Sequence, residues 1–213
     1  MEVTENIRIR RAKADDGYAT VDLIMLSAPQ VLTEIFGNGD QTVAKSYLMH
    51  AWECGQGQYG CQAHWVATHN DQPIGVVTAW HSNMPKAFGK ATLASLNAFF
   101  GIDETAQVFA RSAKITEQIT PPAYQELIFG HLAVSPSFQG QGVGKALVNY
   151  MEEIAVHNEK RRCVLDVERQ NKSAIGFYES LSYLEVQSLY PAGFRYMRMA
   201  KRLEASAKWV GVI

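Results

Sequence analysis

Three glycines at alternate positions stand directly before a helix-like segment. They lie in Gln139-Gly140-Gln141-Gly142-Val143-Gly144-Lys145. Glycine is among the least favourable residues for beginning a helix, at about 1 kcal/mol relative to alanine, so their clustering indicates a purpose other than folding. Backbone N–H groups at a helix N-terminus can bind phosphate when no side chain blocks the approach. The spacing therefore predicts a phosphate-binding turn.

Two known phosphate turns can be compared with this segment. The P-loop pattern GxxxxGK[ST] needs a hydroxyl residue after its lysine, but Lys145 is followed by Ala146, so this class is excluded. The dinucleotide pattern GxGxxG needs its third glycine one residue further along, although Asp166 ends a later strand-like segment near the expected distance. A dinucleotide-dependent oxidoreductase therefore stays open as an alternative.

A third comparison fits the turn. Residues 139–144 resemble the Q/R-x-x-G-x-G/A turn of the GNAT N-acetyltransferase superfamily, and they follow "LAVSPSF", which resembles that family's fourth strand and its exit. Residues 164–183 resemble the family's fifth strand and the helix after it. Four positions of this segment match, namely Asn171, Ala174, Phe177 and Tyr178, whereas Ser182-Tyr183 stands where the family usually has Gly-Phe. The resemblance is strongest over residues 123–190 and weakest over 83–122.

The resemblance implies that acetyl-CoA (coenzyme A) is the cofactor and that the glycine turn binds its pyrophosphate. It also implies that the pantetheine arm pairs with the edge of the preceding strand, as an added strand would. The implied reaction is transfer of an acetyl group to a primary amine of a small molecule or a protein, by direct attack in a ternary complex. The cofactor-binding positions are Leu132, Ala133, Val134, Gln139, Gly140, Gln141, Gly142, Val143, Gly144, Lys145 and Asn171.

Acyl transfer from a thioester to an amine needs a base for the amine proton, a donor to the oxyanion and an acid for the departing thiolate. The backbone N–H of Val134 is the expected oxyanion donor. Tyr178 is the predicted acid, because a phenol can donate to a thiolate and then recover its proton from solvent. It also matches the position at which the family has its acid.

The base is less well defined by the sequence. Family bases often match positions 128 and 130, which are Ile128 and Gly130 here. Strand alternation places residues 126, 128, 130, 132 and 134 on one face and His131 on the other, unless a bulge intervenes. Glu126, acting through water, is therefore the predicted base. The lack of an ionisable group at 128 and 130 leaves open a catalytically degenerate module that binds acyl-CoA as a sensor or interaction partner.

The rest of the chain supplies the elements that must position these residues. Hydrophobic periodicity and breakers predict one mixed α/β (α+β) domain over residues 7–203, with a central sheet of six or seven strands flanked by helices, and a tail over 204–213. The predicted strands are 7–13, 61–69, 73–81, 123–134, 162–168, 183–190 and 194–200; the predicted helices are 14–28, 29–36, 42–52, 83–122, 145–157 and 173–181. The long helical segment is an insertion between the third and fourth strands.

Composition limits the partners. A net charge of −1 over 213 residues gives no general reason to expect nucleic acid or an anionic membrane, and no run approaches the roughly 18 apolar residues of a membrane span. The three cysteines, Cys54, Cys61 and Cys163, form neither a disulfide framework nor a metal-binding spacing. We therefore expect a cytoplasmic enzyme without a metal, with an amine substrate; a homodimer stays open.

Overall fold

The computed structural model describes residues 7–117, 119–190 and 195–204. In chain order its strands and helices are β1 (Ile7–Arg11), α1 (Gly17–Ser27), α2 (Pro29–Gly37), α3 (Gln41–Glu53), β2 (His64–His69), β3 (Gln72–Trp80), α4 (Lys86–Thr116), β4 (Glu126–Val134), α5 (Val143–His157), β5 (Arg162–Glu168), α6 (Lys172–Ser180), β6 (Leu184–Leu189) and β7 (Tyr196–Arg202).

The strands form one seven-stranded sheet in the order β1-β2-β3-β4-β5-β7-β6. Neighbouring strands are antiparallel except β4 and β5, which are parallel. The mixed α/β sheet flanked by helices is therefore confirmed, as is the helical insertion, which is α4. The Asn70-Asp71 turn of the β2–β3 hairpin has two positive φ angles, +50° and +63°, as tight hairpins require.

The sheet separates two hydrophobic cores. On one face, α5 and α6 pack against the sheet through Leu147, Met151 and Tyr178. On the other face, α1, α2, α3 and α4 form a core that reaches the sheet at Val76 and Ala133. The donor side is defined here as α5, α6 and the turn before α5, and the acceptor side as α1–α4 with the sheet face beneath them.

Three predictions about elements need correction or fall outside the structure. Cys61–Ala63 form a short 3-10 turn rather than the start of a strand. Helix α4 contains a break at Gly101, with φ 76° and ψ 171°, a conformation that is essentially restricted to glycine. The predicted tail, 204–213, lies outside the described residues beyond Glu204, as does Phe194 at the start of the last predicted strand.

None of the described helices is by itself long and apolar enough to cross a membrane. Segments 14–27 and 29–37 reach that length and composition only when taken together, and they meet at an angle of 105°.

Candidate active site

The glycine turn presents bare backbone to solvent. Gly140 and Gly142 have φ angles of +73° and +82°, a region that L side chains rarely adopt. A Cβ atom at either position would meet nothing within 4 Å. Glycine is therefore required at these positions by the backbone conformation and not by crowding from neighbouring atoms. The space above the turn is open to a ligand. Gly144 differs, because its Cβ position lies 3.3 Å from the Phe177 ring of α6.

Helix α5 begins in this turn without a side-chain cap. Gly142 is the N-cap residue and makes no side-chain hydrogen bond, and the helical ladder starts where Ala146 N–H donates to the Gly142 carbonyl at 2.9 Å. The N–H groups of Val143, Gly144 and Lys145 therefore have no acceptor among the described residues. With the positive end of the helix dipole behind them, they form a site for an anion.

The two glutamines hold the turn in place. Gln141 Nε2 donates to the Ser137 carbonyl at 2.9 Å, and its enclosed Oε1 has no partner among the described residues. Gln139 Nε2 donates to the Val134 carbonyl at 3.0 Å and so ties the turn to the end of β4. The Lys145 side chain is exposed beside them. The predicted cofactor positions of the turn thus lie together.

A gap opens between β4 and β5 next to the turn. The two strands pair only where they begin, over residues 126–128 and 162–164, so the later part of the β4 edge has no strand partner on this side among the described residues. Ser135 N–H donates to the Ile74 carbonyl at 2.8 Å. Because hydrogen bonding alternates along an antiparallel pair, the neighbouring Val134 N–H points away from β3, into the gap. Ala133 instead pairs with Val76.

Tyr178 lies on the donor side of this gap. Its ring is buried and packs against Phe129 of β4 and Tyr183, with ring centroids 6.2 and 6.0 Å away. Burial raises the pKa of the Tyr178 phenol above its usual value. The hydroxyl therefore stays protonated over the working range of an ordinary enzyme, as the predicted acid requires.

Strand β4 contains a bulge that alternation does not show. Val76 pairs with Ala133 and Thr78 with Gly130, so two steps along β3 oppose three along β4. His131 lies in this bulge with a φ of +49°, which is uncommon for a residue other than glycine. The bulge reverses the alternation of side chains after Gly130.

The exception allowed for in the sequence analysis, a bulge, is thus present, and the orientation that strict alternation gives His131 does not hold. His131 lies on the acceptor side, where its Nδ1 is 3.0 Å from Ser27 Oγ at the end of α1. Leu132 and Val134, which strict alternation places on the face of residues 126, 128 and 130, instead pack with the donor-side core. The contact with Ser27 had no sequence signal, because it joins residues 104 positions apart.

Glu126, the predicted base, lies at the other end of β4. Its Oε2 accepts a hydrogen bond from Ala123 N–H at 2.9 Å, and its Oε1 is 3.3 Å from Arg162 Nη1. With a rise of about 3.3 Å per residue, about 25 Å of strand separates it from Val134. Glu126 therefore lies at the paired end of β4 and not along its open part.

Asn171 caps helix α6. Its Oδ1 accepts a hydrogen bond from Ala174 N–H at 3.0 Å. This geometry gives the residue a folding role next to the cofactor role that the resemblance implies.

The acceptor-side end of β5 carries two carboxylates with different surroundings. Asp166 forms a bidentate ion pair with Arg198 of the adjacent β7, with both contacts at 2.8 Å. Glu168 has no ion-pair partner among the described residues and lies opposite Tyr196 in the β5–β7 pair. Burial, together with the charges of Glu168 and Asp166, raises the pKa of Tyr196 to about 12. Glu168 is thus the carboxylate left to attract a cation.

Two cavities lie away from the gap. One of about 340 Å³ includes Arg11, Trp65 and Phe88 in its lining, and one of about 500 Å³ includes Tyr124 and Arg202. Neither is lined by the glycine turn or by the open part of β4, so the site above rests on backbone geometry rather than on cavity size.

The chain belongs to the acetyltransferase (GNAT) family, because the sequence model of that family matches residues 30–183. An uncharacterized N-acetyltransferase of Methanocaldococcus jannaschii is 37% identical over 70 residues, which are 33% of this chain and 29% of that protein. The chain thus matches less than a third of the length of this curated relative.

Solved structures share the fold over nearly the whole chain. An N-acetyltransferase from Staphylococcus aureus Mu50 superposes with a TM-score of 0.66 at 14% identity, covering 91% of this chain and 100% of that one. Another acetyltransferase gives 0.62 at 20% identity, covering 92% and 100%. The protein yncA from Salmonella typhimurium, solved with its cofactor acetyl-CoA, gives 0.51 at 15% identity, covering 95% and 97%. At these identities the likeness shows the fold alone.

Proposed function

We propose that this protein is an acyl-CoA-dependent N-acetyltransferase that transfers the acetyl group of acetyl-CoA to a primary amine of a small molecule or a protein. Membership of the GNAT family supports the class of reaction, and a neighbour in fold was solved with acetyl-CoA. A cytoplasmic location and a homodimer stay predictions from the sequence.

One observation carries the proposal: an uncapped helix N-terminus under open glycines lies beside an unpaired strand edge. The anion site formed by Val143, Gly144 and Lys145 fits a pyrophosphate. The edge of β4 fits an extended amide-containing chain, which can pair with it as an added strand does. A pyrophosphate joined to such a chain is the chemistry of coenzyme A.

The residues around the gap then have separate roles. The N–H groups of residues 143–145 hold the phosphates, and Val134 N–H donates a hydrogen bond to the developing oxyanion. Tyr178 gives its proton to the departing sulfur from the donor side. Acetyl-CoA supplies an acyl group that is activated as a thioester.

An amine acceptor is supported by the charges on the opposite side of the gap. Arg198 neutralises Asp166, whereas Glu168 has no cationic partner among the described residues. A free carboxylate near the open end of β5 attracts an ammonium group and repels a carboxylate. The acceptor therefore carries a primary amine without a neighbouring negative charge.

The test is release of free thiol from acetyl-CoA with a panel of polyamines, amino acids, aminoglycosides and peptides. We expect release with at least one amine and formation of an amide product of matching mass. Binding of acetyl-CoA without release for any amine would favour the degenerate binding module. A rise in melting temperature with NAD, and none with acetyl-CoA, would favour the dinucleotide enzyme.

A further inference from the structure

Ser27 and His131 form a pair that joins α1 to the bulge of β4. Ser27 Oγ lies 2.6 Å from the carbonyl of Ile24 and 3.0 Å from Nδ1 of His131. A carbonyl oxygen only accepts, so the single hydroxyl proton of Ser27 is donated to Ile24. The second contact must then be a hydrogen bond from His131 Nδ1–H to Ser27 Oγ.

This direction fixes the tautomer of the imidazole. With the proton on Nδ1, the lone pair of the neutral ring is on Nε2. Nε2 has no hydrogen-bond partner in the part of the chain that the structure describes. It is also not fully enclosed by the protein. Nε2 is therefore an accessible proton acceptor on the acceptor side of β4.

The surroundings keep the ring neutral. The Tyr59 ring packs 5.6 Å from it, and His64 is close enough to interact with it electrostatically. Burial lowers the pKa of His131 to about 4, and burial likewise raises the pKa of Tyr59 above its usual value. Within the described part of the chain, burial alone accounts for the lowered pKa of His131, and no neighbouring charge holds a proton on the ring.

We propose that His131 is the general base of this acyl transfer and that Ser27 is the residue that positions it. The inference rests on the proposed function. His131 contacts α1 on the acceptor side of β4, and Tyr178 packs in the core on the donor side, so the two side chains lie on opposite faces of the sheet. A base on the acceptor side and an acid on the donor side match a reaction in which the amine enters from one face and the thiol leaves at the other.

Every proton and bond in the proposed reaction is accounted for. The amine nitrogen uses its lone pair to bond to the acyl carbon, and one N–H proton passes to His131 Nε2. The bond from carbon to sulfur breaks, and the sulfur takes the phenolic proton of Tyr178. The imidazolium loses its proton to solvent and the phenolate regains one, so an amide and a free thiol are the products. A weak base is sufficient, because the nitrogen becomes much more acidic once it bonds to the acyl carbon.

The first experiment compares His131→Asn with Glu126→Gln in steady-state kinetics. Asparagine tolerates a positive φ, so His131→Asn keeps the bulge. We expect kcat/KM for the amine to fall about 100-fold, with the melting temperature and the Kd of acetyl-CoA little changed, and added imidazole to restore part of the rate. A larger loss in Glu126→Gln than in His131→Asn, or full activity of His131→Asn, would overturn the proposal in favour of the carboxylate.

Ser27 is tested by a matched pair of variants. Ser27→Ala should lower kcat by about three- to tenfold, the worth of one neutral hydrogen bond, without a change in KM for acetyl-CoA. Ser27→Thr keeps the hydroxyl and should restore the rate. Equal activity of Ser27→Ala and wild type across pH would overturn the positioning role.

A measurement independent of turnover separates this proposal from the function on which it rests. The ¹⁵N resonances of the His131 ring should show a protonated Nδ1 and a non-protonated Nε2 in the wild type, and a mixture of tautomers in Ser27→Ala. A protonated Nε2 in the neutral wild-type ring overturns the base even if thiol is released. Absence of thiol release with every amine overturns the proposed function instead.

Discussion

The donor and acceptor sides of the sheet are built in different ways. On the donor side the candidate ligand contacts, apart from Tyr178, are backbone groups: open glycines, free N–H groups and the unpaired edge of β4. On the acceptor side they are side chains held by tertiary packing, with an aromatic cluster formed by Phe36, Tyr47, Tyr59, Phe99 and Phe100. Backbone sites need particular residues at fixed spacing, whereas side-chain sites depend on contacts between distant parts of the chain.

The largest effect should come from placing a charge in the backbone site. Gly142→Asp adds a side chain and a negative charge at the N-terminus of α5, where the phosphates are proposed to bind. We expect acetyl-CoA affinity to fall by at least about 100-fold from charge repulsion and lost access. Isothermal titration calorimetry measures this directly.

Two control variants isolate the cause. Gly142→Asn has nearly the same shape and tolerance of positive φ but no charge, so it should lose less affinity than Gly142→Asp. Gly89→Asp adds the same charge at an open glycine of α4 and should bind acetyl-CoA normally. If Gly142→Asp binds acetyl-CoA as tightly as the wild type, the glycine turn is not the phosphate-binding site.

The same difference explains what the sequence could predict. The sequence predicts the glycine turn, the strands and the helical insertion, because local periodicity and glycine spacing encode them. The bulge at His131 is harder to predict: Gly130 beside it is a residue that often marks a bulge, but it does not show that His131 takes the left-handed backbone or which face its side chain joins. Strict alternation therefore favours Glu126 as the base, although Glu126 lies at the paired end of β4, and it gives no indication of the Ser27 contact.

A somewhat smaller effect is expected at the acid, Tyr178, which is a side chain of the donor side. Tyr178→Phe keeps the packing against Phe129 and removes only the hydroxyl. We expect kcat to fall about 100-fold with little change in the Kd of acetyl-CoA. Because burial raises the Tyr178 pKa, the wild type should not lose activity at alkaline pH through this group.

Tyr183→Phe is the matched control for Tyr178→Phe. Tyr183 belongs to the same aromatic cluster, but its hydroxyl donates to Glu152 Oε1 at 3.0 Å. Its loss should lower the melting temperature rather than kcat. Equal losses of kcat in the two variants would mean that the hydroxyl of Tyr178 acts through packing alone.

The acceptor side is expected to be acid-sensitive because of a histidine beneath it. His64 is fully buried, its Nδ1 donates to the Gly60 carbonyl at 2.9 Å, and burial lowers its pKa from 6.5 to about 3. Between these values the unfolded chain binds a proton that the folded one does not, so stability falls as pH falls. From pH 7.5 to 5, His64 alone should cost about 2 kcal/mol of unfolding free energy, and His131, whose pKa burial lowers to about 4, adds to this loss.

Urea unfolding at pH 7.5 and pH 5 tests this difference. His64→Asn, whose Nδ2 can donate to the same carbonyl, should lower stability at both pH values. The difference in unfolding free energy between pH 7.5 and pH 5 should be smaller than in the wild type. His157→Asn, at the exposed end of α5, removes a histidine without changing the interior. It should leave the difference in unfolding free energy between the two pH values unchanged. If this difference in unfolding free energy is equally large in His64→Asn and in the wild type, groups other than His64 cause the acid sensitivity.

The smallest effect concerns Asn171, where a helix cap and a predicted cofactor contact coincide. Asn171→Ala removes the acceptor for Ala174 N–H and should destabilise the protein by about 1 kcal/mol. Asn171→Ser keeps a cap oxygen and should recover most of that stability. If only the cap matters, acetyl-CoA affinity is the same in both variants as in the wild type. If Asn171 also contacts the cofactor, Asn171→Ser regains stability but not affinity, and Asn171 then joins Tyr178 as a donor-side side chain that contacts the cofactor beside the backbone groups.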